Sequence, residues 1–145
     1  MIEGFLVLAD SATTDATSGK VHMLGAGWSL TGPAIPPSAV TGFLRLPWEE
    51  AGEGMRFRLR LVGKDQAEVK VLHEDGECRA VAFEGTLGLP DVQSTDELTK
   101  QVPMNLCFAI PVPPLPLPAG HVYEWIFDVE GLKVASVRFA VRGGS

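Results

Sequence analysis

Apolar and polar residues alternate along most of this chain, and no long stretch repeats with the period of a helix. "GFLVLAD" (4–10) reads as a short buried strand. "KVHMLGAGWSL" (20–30) reads as a second, with Leu24, Ala26, Trp28 and Leu30 on one face. Gly25 and Gly27 fall on its other face, where a bulge or a close neighbouring backbone accounts for them. After the break "TGPAIPPS" come "AVTGFLRLP" (39–47) and the strictly alternating "MRFRLRLV" (55–62). In the latter, Met55, Phe57, Leu59 and Leu61 point one way and Arg56, Arg58 and Arg60 the other. Turns at "GKDQ" and "HEDGE" bound "AEVKVL" (67–72) and lead to "CRAVAFEGTL" (78–87). "GLPDVQSTDELTKQ" (88–101) carries no strand pattern; Ser94 or Thr95, ahead of Asp96 and Glu97, is placed to cap one helical turn.

Alternation resumes at "VPMNLCFAI" (102–110), with Val102, Met104, Leu106, Phe108 and Ile110 inward. It continues in "HVYEWIFDV" (121–129), which aligns Tyr123, Trp125, Phe127 and Val129, and in "VASVRFAVR" (134–142) after a turn at "EGLK". About nine strands at this spacing predict an all-β chain, one domain over residues 1–145. The expected architecture is a single antiparallel β-sandwich, immunoglobulin-like, of eight to nine strands.

The stretch "PVPPLPLPAGHVYEW" (111–125) has two readings: a polyproline ligand for a partner's aromatic groove, or part of the fold. Leu115 and Leu117 alternate with prolines, so one side of an extended strip is apolar, and the strip is pinned between two hydrophobic strands. Proline donates no ladder hydrogen bond, which suits a crossing segment or a guarded edge. The fold reading is preferred.

Composition narrows the function classes. With 145 residues, 46% hydrophobic and 21% charged, the chain can bury an ordinary core. A net charge of −6 argues against nucleic acid and against an anionic membrane as partners. "MIEGFLVLAD" has no basic leader and too short an apolar run for a signal peptide, so the expected location is cytoplasmic, or a virion if the chain is phage-encoded. Cys78 and Cys107 then read as two packed thiols rather than a bridge.

The arginine comb is the sharpest surface feature. A hairpin across "PWEEAGEG" would put Arg45 on the same outward face as Arg56, Arg58 and Arg60. Four like charges on adjacent strands repel, so anions are expected beside them. Glu68, Glu124 and Asp128 would make this a cross-strand ladder; an acidic protein surface or a phosphate would make it a docking patch. Loop carboxylates (Asp10, Asp15, Glu49, Glu50, Glu53, Glu74, Asp75, Asp91, Asp96) admit a calcium site but lack D-x-D-x-D spacing, and solvated turns explain them. His22, His73 and His121 are dispersed, without metal-ligand spacing, and no nucleophile elbow, P-loop or dinucleotide fingerprint occurs. No cofactor is expected. Trp28 and Trp125 lie in phase with core positions, whereas Trp48 is placed either to stack on a carbohydrate or to cover one end of the sandwich.

Three stretches carry a family resemblance: "VLADSATTDATSGKVHMLGAGWSL" (7–30), "LRLPWEEAGEGMRFRLRLV" (44–62) and "LPLPAGHVYEWIFDVEG" (115–131). In these the chain resembles bacterial and phage-encoded proteins gathered as a domain of unknown function, departing from them in loops such as the short "VGKDQ" turn. The likeness implies a fold and brings no catalytic residues. The proline-glycine turn ahead of Tyr123 is also similar, more loosely, to one common in immunoglobulin-like sandwiches.

The sequence thus points to a non-enzymatic module that binds a protein surface, as an accessory or decoration part of a larger assembly such as a phage capsid. Arg45, Arg56, Arg58, Arg60 and Trp48 are the candidate binding residues, and self-association stays open. The alternative is a sandwich that binds a small ligand or carbohydrate.

Overall fold

The computed structural model describes residues 1–51, 54–91, 93 and 95–144. Ser94 and Glu53, named above as a cap and a loop carboxylate, lie outside them. The alternating segments form β1 (Glu3–Ala9), β2 (Ser11–Thr14), β3 (Val21–Leu24), β4 (Leu30–Thr31), β5 (Ser38–Leu46) and β6 (Arg56–Val62). There follow β7 (Lys70–Leu72), β8 (Cys78–Ala80), β9 (Ala82–Thr86), β10 (Met104–Val112), β11 (His121–Val129) and β12 (Leu132–Val141).

The fold is all-β, but it exceeds one sheet pair of eight or nine strands. Among the described residues there are twelve strands in four sheets: β1-β5-β10, β4-β12-β11-β6-β9, and the ribbons β2-β3 and β7-β8. Nor is the pairing wholly antiparallel, since β4 runs parallel to β12. The inward residues of the two larger sheets meet in one core, where Leu6, Leu8, Val40 and Leu44 face Leu59, Leu61, Trp125, Phe127 and Phe139. Phe108 of β10 stacks on Phe127 of β11 at 4.7 Å between ring centroids, which ties one layer to the other.

Two expected elements differ. The strand over 20–30 breaks into β3 and β4, because Gly25 and Gly27 adopt φ of 63° and 94°, outside strand geometry. The Gly27 amide donates to the Leu8 carbonyl and the Ala140 amide to the Ser29 carbonyl, so this link joins the margins of both sheets. Leu24 and Leu30 are accordingly exposed rather than inward, and Trp28 is half-buried, its ring edge-on to Phe139. The second difference concerns β5 and β6, which form no hairpin. β5 lies between β1 and β10, while β6 lies between β11 and β9 in the opposing sheet. Their patterns explain the separation: β5 is apolar on both faces and belongs where both are covered, whereas β6 alternates and keeps one face wet.

The proline strip is part of the fold. Pro111 pairs with Ala39 inside β10, Leu117 is buried, Leu115 packs on the core, and the prolines between them face solvent. The Tyr123 hydroxyl donates to the Pro118 carbonyl at 2.8 Å, fixing the end of the strip to β11. Burial there holds the phenol pKa above its usual value. The helical turn expected near Thr95 is a 3₁₀ turn at Thr99–Gln101, where the Asp96 carboxylate accepts from the Thr99 amide at 2.7 Å.

Candidate functional site

β6 sends Arg56, Arg58 and Arg60 to the outer face of the five-stranded sheet, as its alternation requires. Neighbouring strands bring acids to them. Arg58 lies 3.4 Å from Glu68 and 3.3 Å from Glu84, and Arg60 donates from Nε to Asp128 at 2.8 Å. Glu68 and Asp128 are partners expected from the sequence, and Glu84 joins them from β9. Glu124 does not pair with the comb. It accepts instead from Gln66; burial raises its pKa, but the Gln66 and Ser136 hydrogen bonds and the charges of Lys133 and Arg138 outweigh that and lower it. Two of the comb's three arginines, Arg58 and Arg60, are therefore neutralised by cross-strand acids.

Its members differ in weight. The Arg60 and Asp128 side chains are only 27% and 14% exposed, so this pair is the one to cost appreciably when broken. Asp128→Ala is expected to lower unfolding free energy by about 1.5–3 kcal/mol, the range for a hydrogen bond to a charged group. Arg56→Ser, at an exposed position, is expected to stay within about 0.5 kcal/mol. Urea denaturation of both variants measures the difference, and equal losses would remove the distinction.

Arg45 stands apart. It lies on β5 in the other sheet, 3.9 Å from Glu3, with both side chains largely in solvent. Trp48 opens a 3₁₀ turn at Trp48–Glu50 and is half-buried, and its indole N–H donates to the Val102 carbonyl at 2.7 Å. That bond ties the loop after β5 to the segment before β10. The five candidate residues thus fall in three places rather than one.

The residues beside Arg45 are ones that sequence reasoning missed. Register sets Glu3, Phe5, Val7 and Ala9 of β1 beside Arg45, Phe43, Thr41 and Ala39 of β5 on the outer face of the three-stranded sheet. Asn105, Cys107, Ala109 and Pro111 of β10 complete the four rows. The β2-β3 ribbon lies over part of this face, above β5 and β10. Thr41 is 0% exposed beneath it, its hydroxyl 2.9 Å from the Val7 carbonyl and 3.2 Å from the Met23 sulfur. The ribbon's tip ends over β10, where the Cys107 thiol donates to the Gly19 carbonyl at 3.1 Å.

Beyond that contact the remaining two rows are largely open. Phe5 is 58% exposed and stacks on Phe43 at 5.2 Å, and the two border a groove of about 410 Å³ with Glu3, Arg45, Asn105 and Cys107. The signal was available in "GFLVLA" and "AVTGF", which run apolar without alternating; in an antiparallel sheet such a run marks a strand whose two faces both want cover.

Several loop carboxylates serve turns. Asp15 accepts from the Thr17 and Ser18 amides, and those bonds lower its pKa; Asp75 accepts from the Glu77 amide and Asp91 from that of Gln93. Among the described residues no three His, Cys, Asp or Glu side chains converge as a metal site, and both cysteines are free thiols. No helix among the described residues is long and apolar enough to cross a membrane.

Fold and surface together define a layered all-β protein with one partly uncovered sheet face. The chain belongs to a family of unknown function, DUF6941, whose model matches residues 4–142. No curated protein and no solved structure matches it.

Proposed function

We propose that this chain is a non-enzymatic interaction module, an immunoglobulin-like β-sandwich that docks on a protein surface through the bare half of its three-stranded sheet. The sandwich reading is supported by the three strands lying over five and by the Tyr123–Pro118 bond, which resembles the tyrosine corner of such domains. One observation carries the docking reading: an aromatic pair on a sheet face, Phe5 and Phe43, with Arg45, Glu3 and Asn105 at its rim. An apolar centre with a polar rim is the anatomy of a protein-binding patch. Of the five candidate residues, Arg45 is the one that serves this patch. Arg58 and Arg60 are spent on the ladder, and Trp48 on its loop. The setting proposed is an accessory or decoration role in a larger assembly, such as a phage capsid, where a flat face meets a repeated surface.

A photo-cross-linking residue at position 5, expressed in the organism that encodes the chain, tests this. An adduct with another protein is expected at position 5, lost with Arg45→Glu, and none from the same residue at position 84 on the ladder. No adduct at position 5, or capture from position 84 instead, overturns the reading.

A further inference from the structure

We infer that the chain pairs with a second copy of itself along the open edge of the five-stranded sheet, β9 against β9 about a two-fold axis. This surface is separate from the docking face and goes beyond that reading.

The hydrogen-bonding pattern leaves this edge open. The Leu61 amide donates to the Val81 carbonyl and the Leu87 amide to the Met55 carbonyl, so in this register the odd residues of β9 bond to β6. The same parity continues through β8, where the Val81 amide donates to the Val69 carbonyl and the His73 amide to the Glu77 carbonyl. The amides and carbonyls of Cys78, Ala80, Ala82, Glu84 and Thr86 therefore point away from the sheet, and among the described residues none has a backbone partner. A free edge of this length is normally blunted by proline or lysine. The other long edge, β10, has Pro103 before it, Pro111 within it and Pro113 after it, whereas the stretch 78–86 holds neither residue type.

The side chains select the partner. Only outward residues can bond across the edge, so even positions must face even positions, and a two-fold axis then falls on one residue that meets its own copy. Glu84 there would oppose two carboxylates, Gly85 offers no side chain and Ala82 only a methyl. Phe83 sets ring beside ring in the close, non-hydrogen-bonded geometry. It is half-buried, its ring tilted on Trp125 at 6.2 Å, so its free side is what the copy covers. With Phe83 on the axis, Ala80 faces Thr86 and Ala82 faces Glu84 at both ends of the contact, for about eight hydrogen bonds. Charges alternate along the joined row: Asp128, Arg58 and Glu84 of one molecule, then, past the partner's small Ala82, the partner's Arg60. Every bond is made twice and the edge is used up, so assembly stops at a dimer.

Sedimentation equilibrium of the purified chain tests the pairing, with urea denaturation to show that each variant is folded. The wild-type chain is expected at twice its 15.5 kDa mass. Ala82→Pro removes an amide that points away from β6, so the chain's own ladder is kept, and the dimer should weaken at least about tenfold. Ala82→Glu sets a carboxylate against the partner's Glu84 at both contacts and should weaken it by a similar factor. Adding Glu84→Lys turns both contacts into ion pairs and should restore the dimer. A wild-type monomer, a dimer that survives both Ala82→Pro and Ala82→Glu, or a double variant that stays monomeric overturns the inference. A cross-linker at position 84 should join two copies of the chain, while the adduct from position 5 to another protein should be untouched by Ala82→Glu, so the two surfaces stand or fail separately.

Discussion

Phe127→Ala is expected to remove about 3–5 kcal/mol of unfolding free energy, the usual cost of truncating a buried phenylalanine. The ring is fully buried near the C-terminal end of β11, stacked on Phe108 at 4.7 Å and on Phe57 at 5.5 Å. Phe108 comes from the opposite sheet, so the truncation opens a void between layers where both backbones are held by ladders and collapse is limited. Against a total of about 5–15 kcal/mol for a domain, such a loss leaves the protein near its folding threshold. Urea denaturation should show the midpoint falling with little change in slope. A loss within about 0.5 kcal/mol, as for a surface residue, would mean that the layers are not joined at this ring.

Gly42→Ala is the second large effect, and it acts through the same cluster. Gly42 lies directly across from Phe108 in the register, and a Cβ built on it would stand 2.1 Å from the end of that ring. The ring cannot swing away, because Phe127 and Phe57 stack against it. Replacing glycine by alanine should gain about 0.4–1 kcal/mol from the stiffer unfolded chain. Overpacking costs about 1–3 kcal/mol or more, and the clash wins. The variant should therefore melt lower, and adding Phe108→Leu should recover part of the loss as a non-additive coupling. A more stable Gly42→Ala, or purely additive losses, would show that the ring does not rest on Gly42.

Much of this is legible in the chain. The inward sets of β6 and β11 follow from alternation alone, as does the outward arginine comb, and two of its acids can be named because opposite charges gather on a wet strand face. The place of Arg45 cannot be read that way. It depends on which strand pairs with which, and a link such as 47–55 serves equally for a hairpin or for a crossing between layers. The break after Leu24 escapes a local reading for a related reason. Glycines within an alternating run fit a bulge as well as a left-handed turn, and the turn is held by a bond to Leu8, distant in sequence.

What the amino-acid order determined by itself was local: an all-β chain, the inward and outward faces of its long strands, and a proline strip whose leucines turn to the core. These follow from side-chain period and backbone chemistry, which act between near neighbours. The tertiary structure decided what long-range pairing decides. It sent β5 and β6 to opposite layers, separated Arg45 from the comb, and laid the β2-β3 ribbon over only half of an apolar face. The open patch around Phe5 lies where that ribbon, packed over β5 and β10, does not reach, a relation between elements that no single stretch of sequence contains.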